Sequence, residues 1–499
     1  MNTKRIILGV IAAILMSLCF SRAHAANYPL EIIQPRTGLT TINRFYKAYP
    51  GLEYKVRPAI ISGEYPFTYT LTTYPSGMTI DSSTGVITWS NPTVSGSPHN
   101  VTLSVTDAED TTQTVSWTIT VTTSGFYFVD AINGQTVANG GTGTLANPWK
   151  TIEDWYETKS TNTYQYGFLY FRTGTYTPPA LEDGTRLAFV SNYKPQVWLA
   201  YPGESPVFDM NAAYVSVYSG GDNFYVQGIE FNNISNSVRR AVSIGGAVNN
   251  VTFFDNDFSG TTYLDGTNQA HVFISDGGDA GSYWSFQDNN FHDSSATMAI
   301  EGYNTNKVLV EDNFVSNLDG SGARQSHGIG PKAGNTRWDI RHNQLFGNDI
   351  CEADIWLGGL NYDNYSDMEV RYNLVIGGSG SYTSIYVNMG DTDMGPVYLH
   401  RNTVSGGSVL VKFGTTGRGP YTFSNNAIQN IGSGVTYSSP NPAESGVVIL
   451  SNNLTGNSGL VDSNGLLINR SYVGTYGWET GSESPDTFAP ASPSGLSVS

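Results

Sequence analysis

Arg324, His327 and Lys332 bring three basic side chains together within one short segment of the chain. A cation beside a lysine disfavours the ammonium form and lowers the pKa of that lysine, so that the amine can accept a proton near neutral pH. The segment therefore predicts a proton-transfer site centred on Lys332. The plainer interpretation is a solvated lysine in a turn, and the residue types alone leave both open.

A second group of side chains has the character of a ligand-binding surface. Short apolar strands recur along the chain, and we align them on the residues expected to point inward: Ile244, Ile274, Ile300, Ile329, Leu357, Val387 and Val411. Alternation then turns the flanking residues outward, among them Phe273, Trp356, Tyr386, Asn388 and Lys412. Sugar rings stack on aromatic faces, and carboxylated sugars need nearby cations. The stripe is predicted to bind a carbohydrate, unless a loop covers its aromatic residues.

Two carboxylates come close to Lys332 in the same alignment. Glu301 lies on the outward face. If the register of the strand at Leu357 differs from our alignment, Asp354 takes the outward position that we assign to Gly358. They are the candidate metal ligands. Calcium binds about six to eight oxygen atoms. Two carboxylates are therefore compatible with calcium as a cofactor but are too few to predict it.

A repeat places these strands in a fold. A short strand ending in asparagine recurs at intervals of 24 to 33 residues, at Asn256, Asn289, Asn313, Asn343, Asn373, Asn402, Asn426 and Asn453. That period suits one coil of a parallel β-helix with its loops. Asparagine tolerates the left-handed backbone of a tight turn, and stacked amide groups can bond from coil to coil. We predict an all-β solenoid in which these asparagines have a structural role.

The segments before the repeat indicate a separate module and an end cap. Residues 26–123 show the alternation of a small β-sandwich, and 75–87 resemble the immunoglobulin-like module of bacterial secreted proteins. Such a module is usually a spacer, with carbohydrate binding as the alternative. Thr151 and Asp154 begin a short helix carrying Ile152 and Trp155, which we expect to close the first coil of a solenoid spanning 124–480.

The solenoid resembles the right-handed parallel β-helix polysaccharide lyases, which include pectate lyases, alginate lyases and chondroitinase B. The match lies in the entry at 126–152, the coil at 168–176 and the segment 323–335. The resemblance implies β-elimination on a uronic-acid polysaccharide such as alginate or pectate. It implies Lys332 as the general base, with Arg324 or His327 as the acid or as the group that neutralises the substrate carboxylate.

Two other classes remain open. A β-helix glycoside hydrolase needs carboxylates about 5–10 Å apart, and the chain contains no Asp-Asp pair. A non-catalytic carbohydrate-binding or adhesin solenoid would need the aromatic residues but not Lys332. Replacing Lys332 by alanine separates a lyase, which would lose turnover and keep binding, from a binding solenoid, which would be unaffected.

The composition and the two ends of the chain limit which partners and which cellular compartment are expected. Residues 1–25 have the charged start, apolar run and small-residue cleavage site of a bacterial signal peptide, so secretion is expected. Its removal leaves Cys351 as the only cysteine, which excludes an intramolecular disulfide. A net charge of −17 argues against nucleic acid as a partner. We expect a monomer without membrane insertion, and a Ser/Pro-rich tail or linker over 481–499.

Overall fold

The structure is a computed structural model. It describes part of the solenoid coils, of the N-terminal module and of the connections between them. The described residues are 27–36, 43–157, 167–177, 188–192, 196–211, 214–218, 222–234, 240–260, 269–274, 281–295, 297–319, 327–332, 334–348, 353–358, 366–377, 383–389, 395–406, 408–413, 420–429, 435–437, 448–456, 458–462, 466–472 and 476–478. The predicted signal peptide, Cys351 and the predicted tail lie outside them. No helix among these residues has the length and apolar character needed to cross a membrane.

Most of the described chain winds into a right-handed parallel β-helix with three sheets, as predicted. Sheet one contains twelve described strands: Phe126–Val129, Gly167–Phe171, Gln196–Ala200, Tyr225–Gln227, Thr252–Phe254, Gly281–Gln287, Thr305–Glu311, Thr336–Arg341, Met368–Arg371, Val397–His400, Tyr421–Ser424 and Val448–Ser451. Sheet two contains eleven: Gly174–Tyr176, Pro206–Asp209, Glu230–Asn232, Asp257–Ser259, Asn290–Ser295, Phe314–Asp319, Gln344–Phe346, Leu374–Ile376, Thr403–Ser405, Ala427–Gln429 and Leu454–Gly456. Sheet three contains ten: Ala188–Asn192, Tyr214–Tyr218, Arg240–Ile244, Gln269–Ile274, Thr297–Gly302, His327–Pro331, Ala353–Gly358, Thr383–Met389, Ser408–Phe413 and Val435–Tyr437.

The asparagine repeat forms one continuous ladder at the turn between sheets one and two. The side-chain oxygen of Asn343 accepts from both the backbone N–H (3.0 Å) and the side-chain amide (2.9 Å) of Asn313 in the preceding coil. The same pair of bonds links each asparagine of the repeat to the next. One part of the sequence argument is wrong: the left-handed residue is the one before each asparagine, such as His342 with φ 54°.

A short helix closes the N-terminal end of the solenoid, as predicted. The helix Ile152–Glu157 buries Ile152 and Trp155 against the first coils. Asp154 accepts from the backbone N–H and the hydroxyl of Thr151, both at 2.9 Å, while Thr151 accepts from the N–H of Asp154 at 3.2 Å. This reciprocal capping satisfies polar groups at the start of the helix. Apolar side chains thereby cover an end of the core.

The N-terminal module is a β-sandwich. Its described strands form a pair, Glu31–Gln34 with Ala59–Ile61, a three-stranded sheet of Tyr54–Val56, Met78–Ile80 and Ile87–Trp89, and a four-stranded sheet of Lys47–Ala48, Thr68–Thr73, His99–Thr106 and Thr112–Val121. Short 3-10 turns occur at Arg44–Tyr46, Val137–Asn139 and Arg470–Tyr472.

The module packs directly against sheet one. The sequence suggests a spacer, which would not make such contacts. Ile33 and Ile61 of the module form an apolar cluster with Leu309 of sheet one. The side chain of Gln34 accepts from the Thr252 hydroxyl at 2.6 Å and donates to a backbone oxygen of the solenoid at 2.7 Å. Buried apolar contacts and hydrogen bonds of this kind fix the module to the side of the solenoid, whereas a spacer would stand apart from it.

Candidate active site

The outward stripe predicted from the sequence lies on sheet three. In register, one row of the sheet runs through Phe273, Glu301, Gly330, Trp356 and Tyr386. Adjacent members of such a row are about 4.8 Å apart. A carboxylate residue and three aromatic residues therefore share one row of the sheet.

The sequence alignment is wrong by two residues at two steps of this sheet. Val272, and not Ile274, pairs with Ile300, and Ile329 pairs with Ile355 instead of Leu357. Because side chains alternate with a period of two, a shift of two residues leaves the inward and outward faces unchanged. The predicted outward residues of the row are therefore retained, but their neighbours along the sheet differ.

Lys332 and Glu301 form a buried ion pair at this face. The Lys332 ammonium lies 2.9 Å from Oε1 of Glu301, and the side chains are 7% and 3% exposed. The hydroxyl of Tyr303 donates to the same carboxylate oxygen at 2.9 Å. The sequence argument expected cations around Lys332, whereas the described partner is a carboxylate. A charge-assisted contact of this kind is short and directional, and it fixes the end of the lysine side chain against Glu301.

The backbone around Lys332 is held by the neighbouring coil. The N–H of Lys332 donates to the Gly302 carbonyl at 2.8 Å. The side-chain amide of Asn335 donates to the carbonyls of Gly302 and Lys332, both at 2.6 Å. The turn after Pro331 is therefore tied to the coil that carries Glu301, which positions the ammonium group against the carboxylate.

An aromatic series continues the face beside the ion pair. The His327 ring stacks on Trp356 with centroids 5.4 Å apart, and Trp356 meets Tyr386 edge to face at 4.4 Å. The indole N–H donates to the Gly358 carbonyl at 3.1 Å, which orients the ring. Trp356 is partly exposed, while His327 is fully buried and Tyr386 is 9% exposed. The series offers one accessible aromatic surface supported by two covered ones.

Gly330 provides the space that the His327 ring occupies. A Cβ at this position would overlap the imidazole, with Nε2 at 3.0 Å, and the ring is already held against Trp356. We expect Gly330→Ala to lower the free energy of unfolding by about 1–3 kcal/mol, the usual cost of overpacking a filled site. The measurement is urea denaturation of the two proteins. In the His327→Ala background the same substitution should cost much less, and an equal cost in both backgrounds would contradict the assignment.

Asp354, the second predicted metal ligand, is buried and bonded to Asn348. Asp354 is 4% exposed, and its Oδ1 accepts from the side-chain amide of Asn348 at 2.9 Å. Burial raises the pKa of Asp354 to about 7, although the bond from Asn348 opposes that shift. Its strand is offset so that Trp356, two residues later, occupies the row of Glu301. Across the described part of the chain, no group of three or more His, Cys, Asp or Glu residues could hold a metal ion.

Four predicted site residues are described only in part or not at all. Phe273, Asn388 and Lys412 have described backbone positions on sheet three, with Asn388 paired to Gly358 and Lys412 paired to Asn388, but their side chains lie outside the description. Arg324 lies outside the described residues altogether.

Sequence reasoning missed Tyr303 and the role of Gly330. Tyr303 follows Glu301 by two positions, so strand alternation alone could have placed both side chains on one face. Gly330 carries no comparable signal, because its function is to leave room for a side chain three positions earlier.

The fold defines a parallel β-helix protein with an immunoglobulin-like module, and residues 41–122 match the family model described as Putative Ig domain. The chain matches no curated protein sequence. Among solved structures, it is similar to the A-module of a mannuronan C-5 epimerase from Azotobacter vinelandii, with 13% identity, a TM-score of 0.38, and coverage of 66% of this chain and 96% of that one. It is also similar to a pectate lyase from Bacillus sp. N165 solved with trigalacturonate, with 13% identity, a TM-score of 0.30, and coverage of 70% and 88%.

Proposed function

We propose that the protein is a secreted polysaccharide lyase that cleaves a uronic-acid polysaccharide by β-elimination on the outer face of sheet three. The observation that carries the proposal is the buried Lys332–Glu301 ion pair, with Tyr303 on the same carboxylate and an aromatic series beside it. β-Elimination needs a cation for the substrate carboxylate, a proton acceptor and a proton donor. All three residue types occur together at this position.

The contact between Lys332 and Glu301 suggests a division of roles that differs from the lysine base expected from the sequence. The Lys332 ammonium would bind the uronate carboxylate, which makes the neighbouring C–H group more acidic. Glu301 would take that proton, the C–H electron pair would form the carbon–carbon double bond, and the glycosidic C–O bond would break. Tyr303, whose hydroxyl donates to Glu301, would protonate the leaving oxygen. Positioned proton transfer of this kind contributes about 10²–10⁴-fold to a rate.

The aromatic series supports a saccharide as the ligand. The partly exposed ring of Trp356 offers a flat apolar surface next to the charged groups, and sugar rings combine apolar faces with hydroxyl edges. A hydrolase is less well supported, because it needs a second carboxylate opposite Glu301 and Asp354 is bonded to Asn348 instead.

The test is the ultraviolet absorbance of the unsaturated product while the purified mature protein acts on alginate, pectate and glycosaminoglycans, with and without calcium. We expect absorbance to rise on at least one polymer. New reducing ends without absorbance would indicate a hydrolase instead. Binding without either signal would indicate a non-catalytic solenoid.

A further inference from the structure

The outward face of sheet one is the surface that the immunoglobulin-like module covers. One row of this face runs in register through Leu309, Asp339, Glu369 and Tyr398, and adjacent members of a row are about 4.8 Å apart. Asp339 is 1% exposed and Glu369 is 2% exposed. Two buried carboxyl groups therefore stand side by side where the module meets the solenoid.

Two arginines of sheet one bind Asp339. Arg371 donates to Oδ1 of Asp339 at 3.0 Å and to Oδ2 at 2.6 Å, and Arg341 donates to Oδ2 at 2.5 Å. The other hydrogen bonds that the structure describes for Arg371 go to two backbone carbonyls of the module. Although Arg371 follows Glu369 by two positions on the same strand, its donors are therefore engaged elsewhere.

Glu369 faces neutral polar groups of the module. The side-chain amide of Asn27 donates to Oε1 at 3.3 Å, and the Ser62 side chain faces the same carboxyl group. Beside it, Tyr28 packs edge to face on Tyr398 with ring centroids 5.6 Å apart. The charged or titratable groups around Glu369 are Asp339, Arg341, Asp367, Arg371, Tyr398 and His400 on the solenoid and Tyr28 and Glu64 on the module. The docked module therefore encloses a carboxyl group to which no described cation is hydrogen-bonded.

These surroundings favour the protonated form of Glu369. Burial raises the pKa of Glu369 to about 7 and Asp339 adds to the rise, while Arg371 and the neutral module groups oppose it. A glutamate in water has a pKa of about 4.3. Between these two values the docked protein holds a proton that the unfolded chain releases. The stability that depends on this proton is fully present below about pH 4.3 and is lost as the pH rises towards 7.

We propose that Glu369 is a pH-sensitive latch, which fastens the immunoglobulin-like module to the solenoid while its carboxyl group is protonated and weakens the junction when the proton leaves. The ionised carboxylate would stand beside the carboxylate of Asp339, whose two arginines are already engaged, and it would be buried without a cation of its own. The module is thus held most firmly in mildly acidic surroundings. The latch lies on sheet one and does not depend on the chemistry proposed for sheet three.

The test is urea denaturation of the full chain at pH 5 and pH 8, comparing the wild-type protein with Glu369→Gln. The glutamine is neutral at both pH values and has nearly the shape of the protonated glutamate. We expect the two proteins to be about equally stable at pH 5. At pH 8 the folding equilibrium constant of the variant should be about tenfold or more above that of the wild type, because only the wild type carries the buried charge. The difference between the two proteins cancels the titration of other groups.

The matched control is Glu31→Gln, which removes a carboxylate at the same junction that does have cations, Lys307 at 2.6 Å and Arg337 at 2.7 Å. This variant should be less stable than the wild type at both pH values. Glu369→Met, which also lacks the ionisable group, should gain on the wild type between pH 5 and pH 8 as Glu369→Gln does. The proposal is overturned if neither Glu369 variant gains on the wild type between the two pH values, or if Glu369→Gln fails to fold at pH 5.

Discussion

Glu301→Gln is expected to lower the turnover of the polymer about 10²–10⁴-fold, the range of a lost general base. The glutamine retains the shape of the side chain and still accepts a hydrogen bond from Tyr303, but it cannot take up a proton. The Km should change much less than kcat, because Lys332 and Trp356 remain to bind the substrate. The measurement is the initial rate of product absorbance over a range of polymer concentrations.

Stability must be separated from chemistry in this experiment, because Glu301 also neutralises a buried ammonium. Removing one member of a buried pair costs about 3–5 kcal/mol, whereas replacing both by apolar or neutral groups is often tolerated. The double variant Glu301→Gln/Lys332→Met should therefore have a free energy of unfolding close to that of the wild-type protein and yet be inactive. Lys307→Ala, which removes a lysine paired with Glu31 at 2.6 Å far from this face, should remain active. Normal turnover by Glu301→Gln would exclude Glu301 as the base.

The sequence predicts the solenoid well because its signals are local and repeated. Each coil ends in an asparagine whose amide bonds to the next, and the cap of Thr151 and Asp154 is contained within four residues. The two errors in register arise where Val272 and Ile274, or Ile355 and Leu357, are equally apolar. The hydrophobic pattern cannot choose between such positions, because both point inward.

The charges between the module and sheet one could not be predicted, because their partners are far apart in the chain. Arg371 donates to both carboxylate oxygens of Asp339 and to the Ser62 carbonyl of the module at 3.0 Å. Burial raises the pKa of Asp339, but Arg371 and Arg341 outweigh it and hold that pKa below its ordinary value. In the sequence each of these residues has the character of an ordinary surface charge. In the structure both Arg371 and Asp339 are buried, and Arg371 bonds to the module.

Arg57 of the module contacts three carboxylates at the ends of two strands of sheet one. Its guanidinium contacts Asp288 at 2.7 Å and Glu311 at 3.3 Å, and it also contacts Asp312. Its side chain is 2% exposed, and its Nε donates to the Thr84 carbonyl within the module at 3.0 Å. One module cation therefore contacts three solenoid carboxylates, two of which have a second basic partner in Arg341 or His342.

Arg57→Met is expected to lower the free energy of unfolding by about 3 kcal/mol, because it removes the buried cation that contacts three solenoid carboxylates, although Glu311 keeps Arg341 and Asp312 keeps His342 as partners. Arg172→Met is the matched control: its pair with Glu204 is more exposed, at 33% and 20%, and its loss should cost about 1 kcal/mol or less. Urea denaturation followed by tryptophan fluorescence measures both. If Arg57→Met is no less stable than Arg172→Met, the buried network does not hold the module to the solenoid, and the apolar contacts of Ile61 with Leu309 must do so instead.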